Sequence, residues 1–112
     1  MKQPMRFADE HIEIRPGECS VFVDNQPVTL TRKEFELLAT LAANEGEIVN
    51  RSFLLQDIWG YSREIRTRTL DVHIRRLRKK LGQYGDKYIE TIFGVGYRFQ
   101  PYRTPRTFLH VA

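Results

Sequence analysis

Residues 66–81 read RTRTLDVHIRRLRKKL, in which Arg66, Arg68, Arg75, Arg76, Arg78, Lys79 and Lys80 surround one histidine and one acid, Asp71. Cationic groups at that density replace the counterions of a polyanion, and arginine can also donate two parallel hydrogen bonds to guanine O6 and N7. The bland alternative is a solvated helix face. Such a face ordinarily intersperses acids three or four positions away, offsetting repulsion of about 0.2–0.5 kcal/mol per pair. At about 100° per residue, with Leu70 set to zero, Ile74, Leu77 and Leu81 fall within about 40° of it and form a stripe to bury. The far side, roughly 140° to 240°, carries Arg68, Val72, Arg75, Arg76 and Lys79, with His73 and Arg78 on opposite flanks. A valine has no purpose on a face that only water satisfies, whereas in a major groove it meets a thymine methyl. Double-stranded DNA is therefore the expected partner, in a groove about 12 Å wide that accepts one helix.

Other chemistries find little support. His11, His73 and His110 share no metal-ligand spacing with Cys19, and GVGYRF at 94–99 misses the last glycine of a dinucleotide-binding loop. No nucleophile, base and orienting acid cluster together, so neither catalysis, a metal nor a cofactor is expected. The chain has 112 residues, enough for one small core, with 41% hydrophobic and 29% charged residues and a net charge of +4. Its single cysteine, Cys19, forms no internal disulfide and reads as a small strand residue in a reducing compartment. No signal peptide and no membrane-length apolar run is visible, so a cytoplasmic protein without a membrane partner is expected.

The charged helix needs elements to hold it. Short apolar runs at 12–14, 19–23 and 28–30, separated by Pro16-Gly17 and Asp24-Asn25, predict a small antiparallel meander that helices must cover. Thr31 and Glu34 form a capping box, and Phe35, Leu37, Leu38, Leu41 and Ala42 predict a helix to about Asn44, stopped near Gly46. Ile48 and Val49 read as a stub of strand, after which Asn50 caps a short helix bearing Leu54, Leu55, Ile58 and Trp59 before Gly60. Thr67 is placed to cap a third helix over 67–81, with Gly82 as its stop. YGDKY reads as a turn, and 88–92 with 97–99 as a hairpin around FGVG. Helix two, its connection and helix three then make a helix-turn-helix variant, with the hairpin over 88–99 as a wing beside the DNA backbone. Beyond Phe99, Pro101 and Pro105 argue against regular structure.

LTRKEFELLATLAANEGEIVNR (30–51), LLQDIWG (54–60), RTLDVHIRRLRKKL (68–81) and ETIFGVGYRF (90–99) together resemble the winged-helix effector domain of bacterial response regulators typified by OmpR and PhoB, over Met5 to Phe99. The resemblance implies an α+β fold: an N-terminal four-stranded antiparallel sheet, three helices, and a C-terminal hairpin closing against the stub strand. The winged-helix domain is expected over 1–99, with 100–112 a flexible tail. It also implies transcriptional control, a phosphorylatable receiver domain and cognate sensor kinase in the full-length protein, and head-to-tail homodimers on direct repeats. RNA polymerase would be met through the loop of Tyr61, Ser62, Arg63, Glu64, Ile65 and Arg66.

By the same resemblance, Val72 and Arg76 are the base-reading pair. Backbone contacts fall to Arg68, His73, Arg75, Arg78 and Lys79, joined by Trp59, Thr91, Gly94 and Tyr97. The wing departs from the pattern: Phe93 stands where a well-studied branch places a minor-groove arginine. Sequence leaves open whether Phe93 covers the sheet, stacks on a sugar or faces a neighbouring protomer. Arg103 and Arg106 in the tail are candidates for further backbone contacts. A winged helix serving protein or RNA contacts is the competing reading; it predicts apolar or mixed-charge residues on the exposed face of helix three.

Overall fold

The structure is a computed structural model, and it describes residues 4–62 and 66–102. Four short strands, β1 (Phe7–Ala8), β2 (Ile12–Arg15), β3 (Ser20–Val23) and β4 (Gln26–Pro27), form an antiparallel sheet in chain order. Pairing Ile12 with Val23 and Ile14 with Val21 turns Ile12, Ile14 and Val21 inward, while Glu13 and Arg15 bond to each other on the outer face. The meander departs from expectation at two places. Asp24 and Asn25 both take positive φ (49° and 67°), forming a tight two-residue hairpin, so pairing resumes at Gln26, earlier than expected. The Val28 N–H still donates to the Val21 carbonyl at 2.9 Å, and Val28 and Leu30 pack against the core on the way to the helix cap. Cys19 is not in a strand; with φ 51° it ends a 3-10 turn over Pro16–Glu18 and is exposed.

Helix α1 (Arg32–Ala43) starts with the expected capping box, in which Thr31 Oγ1 accepts from the Glu34 N–H at 3.2 Å and Glu34 Oε1 from the Thr31 N–H at 2.9 Å. Its Phe35, Leu37, Leu38 and Leu41 supply the centre of the core. After β5 (Ile48–Asn50), Asn50 caps α2 (Arg51–Trp59), its Oδ1 accepting from the Ser52 N–H at 2.7 Å, and Gly60 closes the helix at φ 72°. Helix α3 spans Thr69–Lys80, shorter than the expected 67–81. Thr67 lies one residue too early to be the cap, although its hydroxyl accepts from the Thr69 N–H at 3.1 Å, and Arg68 occupies the cap position.

The expected turn at YGDKY is helical, giving a fourth helix, α4 (Gly85–Tyr88), behind a 3-10 turn over Gly82–Tyr84. Tyr84 and Tyr88, four apart, thereby share one inward side, and the Tyr88 ring stacks on Phe99 with centroids 5.6 Å apart. The final hairpin, β6 (Ile89–Ile92) and β7 (Gly96–Phe99), joins β5 in a second sheet of order β5-β7-β6. Gly96 permits this closure, because a Cβ there would collide with the Val49 carbonyl. Packing continues past Phe99: the Gln100 N–H bonds the Tyr88 carbonyl at 2.9 Å and the Tyr102 N–H bonds Asp9 Oδ2 at 2.8 Å. The rest of the tail, with Arg103 and Arg106, lies outside the described residues.

Candidate nucleic-acid interface

Leu70, Ile74 and Leu77 of α3, and Leu81 just beyond it, are buried to 1% exposure or less, as the angular stripe requires. Each contributes about 1.5–3 kcal/mol through its removal from water. The helix is therefore held by one side and free on the other. On the free side Arg68, Arg75, Arg76 and Lys79 are exposed and Val72 is half-buried. Among the described residues, the side chains of Arg75, Arg76 and Lys79 make no hydrogen bond or ion pair, so their charge is left to a partner. Lys80 is different. Its ammonium reaches back 2.6 Å to Glu34 Oε1, pinning the last turn of α3 to the first turn of α1.

Each flank of α3 is fastened to a different element. His73 packs edge-on against the Trp59 indole, centroids 4.8 Å apart, and its Nδ1 lies 2.8 Å from the Thr69 carbonyl, the geometry of a ring N–H donating along the helix. That flank faces α2. On the opposite flank Arg78 donates to the Ile89 carbonyl at 2.7 Å and to Thr91 Oγ1 at 2.8 Å, and lies over the Tyr97 ring at 5.9 Å. Two turns nearer the start of the helix, Asp71 Oδ1 accepts from the Tyr97 hydroxyl at 2.5 Å, while both its oxygens accept from Arg51 at 2.5 and 3.2 Å. That flank faces the wing.

Three residues expected at the DNA backbone are thus occupied within the protein. Arg78, Thr91 and the Tyr97 hydroxyl are joined to one another or to Asp71, and their visible work is to fix the wing against α3. The Tyr97 phenol is pushed up to about 12, first by burial and then by its bond to Asp71. The Asp71 carboxyl is held below its usual range, first by the Arg51 bond against the opposing effect of burial, with Tyr97 and the charge of Arg68 assisting. Arg51 and Asp71 were not singled out for this role by sequence. A signal was available: Asp71 at about 100° and Arg78 at about 80° fall on the same flank of the helix.

The remaining expected positions sit around this core of contacts. Trp59 is half-buried against the core, and Gly94 is exposed at the wing turn with φ 78°. Phe93, beside it, is 90% exposed, so it does not cover the sheet. In the loop between α2 and α3, Tyr61 packs against the core and Ser62 and Arg66 are exposed; Arg63, Glu64 and Ile65 lie outside the described residues.

The family model for "Transcriptional regulatory protein, C terminal" matches residues 25–99. The chain belongs to this family. The effector domain is 47% identical over 78 residues to the response regulator ArlR of Staphylococcus saprophyticus, covering 69% of this chain and 36% of that protein. The chain thus spans little more than a third of that relative. Its fold superposes with a TM-score of 0.79 on the Klebsiella pneumoniae RstA DNA-binding domain, solved in complex with the RstA box, at 31% identity over 87% of this chain and 98% of that one. It likewise superposes with a TM-score of 0.77 on DrrB, an OmpR/PhoB homologue of Thermotoga maritima, at 34% identity over 85% of this chain and 44% of that one. The fold is that of the OmpR/PhoB winged helix, with four α-helices among the described residues in place of the expected three.

Proposed function

We propose that this effector domain binds duplex DNA in a sequence-specific way as the output half of a transcriptional response regulator. The observation that carries the reading is the free side of α3: unpartnered arginines around a valine, on a helix whose other sides are fixed to α1, α2 and the wing. In this reading α3 lies in the major groove, Val72 and Arg76 face bases, and Arg68, Arg75 and Lys79 meet phosphates, with His73, Trp59 and Gly94 at the edges of the contact. Arg78, Thr91 and Tyr97 serve mainly by holding the wing. A protein-binding winged helix would carry mainly apolar or mixed-charge residues on that face, whereas this one carries cations around a single valine.

The wider role follows the relatives. A receiver domain and its sensor kinase would control the domain in the cytoplasm, two copies would sit head-to-tail on direct repeats, and the loop 61–66 would meet RNA polymerase. Selection of bound duplexes from a random library defines the cognate site. On that site Arg76→Ala is expected to cost about 1–3 kcal/mol and to relax preference at one base pair. Cognate binding unchanged at fixed salt would show that α3 is not the reading element.

A further inference from the structure

Asp71 is the one acid of α3. On a helix built to meet phosphates, one exposed carboxylate repels every duplex alike, and its side chain is 45% exposed beside a 35% exposed Arg51. The first turn of a helix favours an acid through its dipole, and the charge of Arg68 assists, but the hydrogen-bond partners of Asp71 come from α2 and β7 and not from its own helix. We infer that Asp71 is a selectivity residue of this surface: its carboxylate, gripped by Arg51 and the Tyr97 hydroxyl, fixes α3 against the wing and withholds the Arg51 cation from phosphate. The inference rests on the reading that α3 meets DNA.

The geometry gives the clamp three arms. Arg51 opens α2, and its backbone N–H donates to the Val95 carbonyl in the hairpin turn at 3.0 Å, so the residue is tied to the wing by main chain as well as through Asp71. Asp71 stands in the first turn of α3, and Tyr97 lies on β7, the strand that joins the wing to β5. One carboxylate therefore sets the relative placement of α2, the start of α3 and the wing, while Arg78 secures the same flank two turns later. With the carboxylate intact, Arg51 is neutralised and the two DNA-facing elements move as one body. Without it, a cation and a hydroxyl are released beside the start of α3, where any phosphate can take them, and α3 gains freedom relative to the wing. Adhesion to DNA in general should rise while discrimination falls, a combination that simple loss of structure does not produce.

The test uses the chain as it stands, titrated with its selected cognate duplex and with a scrambled duplex across a salt series. Asp71→Asn should lower the cognate-to-scrambled affinity ratio about tenfold and steepen the salt slope on scrambled DNA by about one, the value for one added phosphate contact. Adding Arg51→Gln should return the slope to that of the parent while the ratio stays low. Tyr97→Phe deletes one hydroxyl without altering charge, and it keeps the test available should Asp71→Asn not fold. It should lower the ratio at the parental slope. Parental ratios in both single variants, or an equal fall in affinity for both duplexes, overturn the inference. Arg76→Ala in the same assay separates the two readings: if it loses discrimination while Asp71→Asn does not, only this inference fails, and if it keeps discrimination, the groove reading itself fails.

Discussion

At the scale of single residues, the cations of α3 divide by what their donors already hold. Lys79 is exposed and without a partner among the described residues, whereas Arg78 donates to the Ile89 carbonyl and Thr91 and has an ion pair with Asp86 at 3.5 Å. Two neighbouring positions should therefore fail differently. Lys79→Ala should make the salt slope of DNA binding shallower by about one and leave folding stability within about 0.5 kcal/mol. Arg78→Ala should lower stability by about 1–3 kcal/mol, because it strands the Ile89 carbonyl and a threonine hydroxyl behind it. Salt titrations paired with denaturant unfolding separate the two. Equal behaviour would mean that the wing contacts of Arg78 carry no free energy.

At the scale of elements, α1 and α3 share the apolar core and are also bridged through one acid. Glu34, with its side chain 2% exposed, closes the capping box of α1 and receives Lys80 from the end of α3. Burial pushes its carboxyl up, but the bonds from Lys80 and the Thr31 backbone outweigh this, and the net direction is down from 4.5. The sign follows from linkage. A carboxyl lowered in the folded state stabilises above its unfolded value and loses that contribution as pH falls through the folded one. Stability should hold near neutrality and decline below about pH 4.5. Glu34→Ala should cost on the order of 2–3 kcal/mol from the cap and the charged bond together, seen as a lower urea midpoint at unchanged m. It should also flatten the acid limb, and an undiminished acid limb would assign that limb to other carboxyls such as Asp71 and Glu90, which are lowered too.

At the scale of the whole molecule, one small module meets DNA over roughly 600–1,000 Å² of its surface, which limits what one copy can hold. Two copies on a direct repeat gain through effective concentration once the first is bound. A duplex with two half-sites should therefore bind with an apparent affinity well above that of a single half-site, and footprints should fill both together. Protection of one half-site at every concentration would remove tandem binding from the account.

Much of this architecture could be read from residue types alone. The capping box at Thr31, the buried stripe of Leu70, Ile74, Leu77 and Leu81, and the glycine end of α2 depend on local spacing, which a linear sequence states directly. The exposed cations of α3 followed from the same angular argument. The helical state of YGDKY was hidden, because it depends on Tyr84 and Tyr88 finding aromatic partners far away in the chain, among them Phe99. Hidden for the same reason was the division of labour among the cations. Sequence put Arg78 on a flank, among the expected DNA-backbone contacts, and treated Asp71 as a lone acid; the tertiary structure bonds both to the wing, since only folding brings Ile89, Thr91, Arg51 and Tyr97 within bonding distance. Composition and period decide which face of a helix is charged, but which of those charges remain free is decided by neighbours that arrive from elsewhere in the chain.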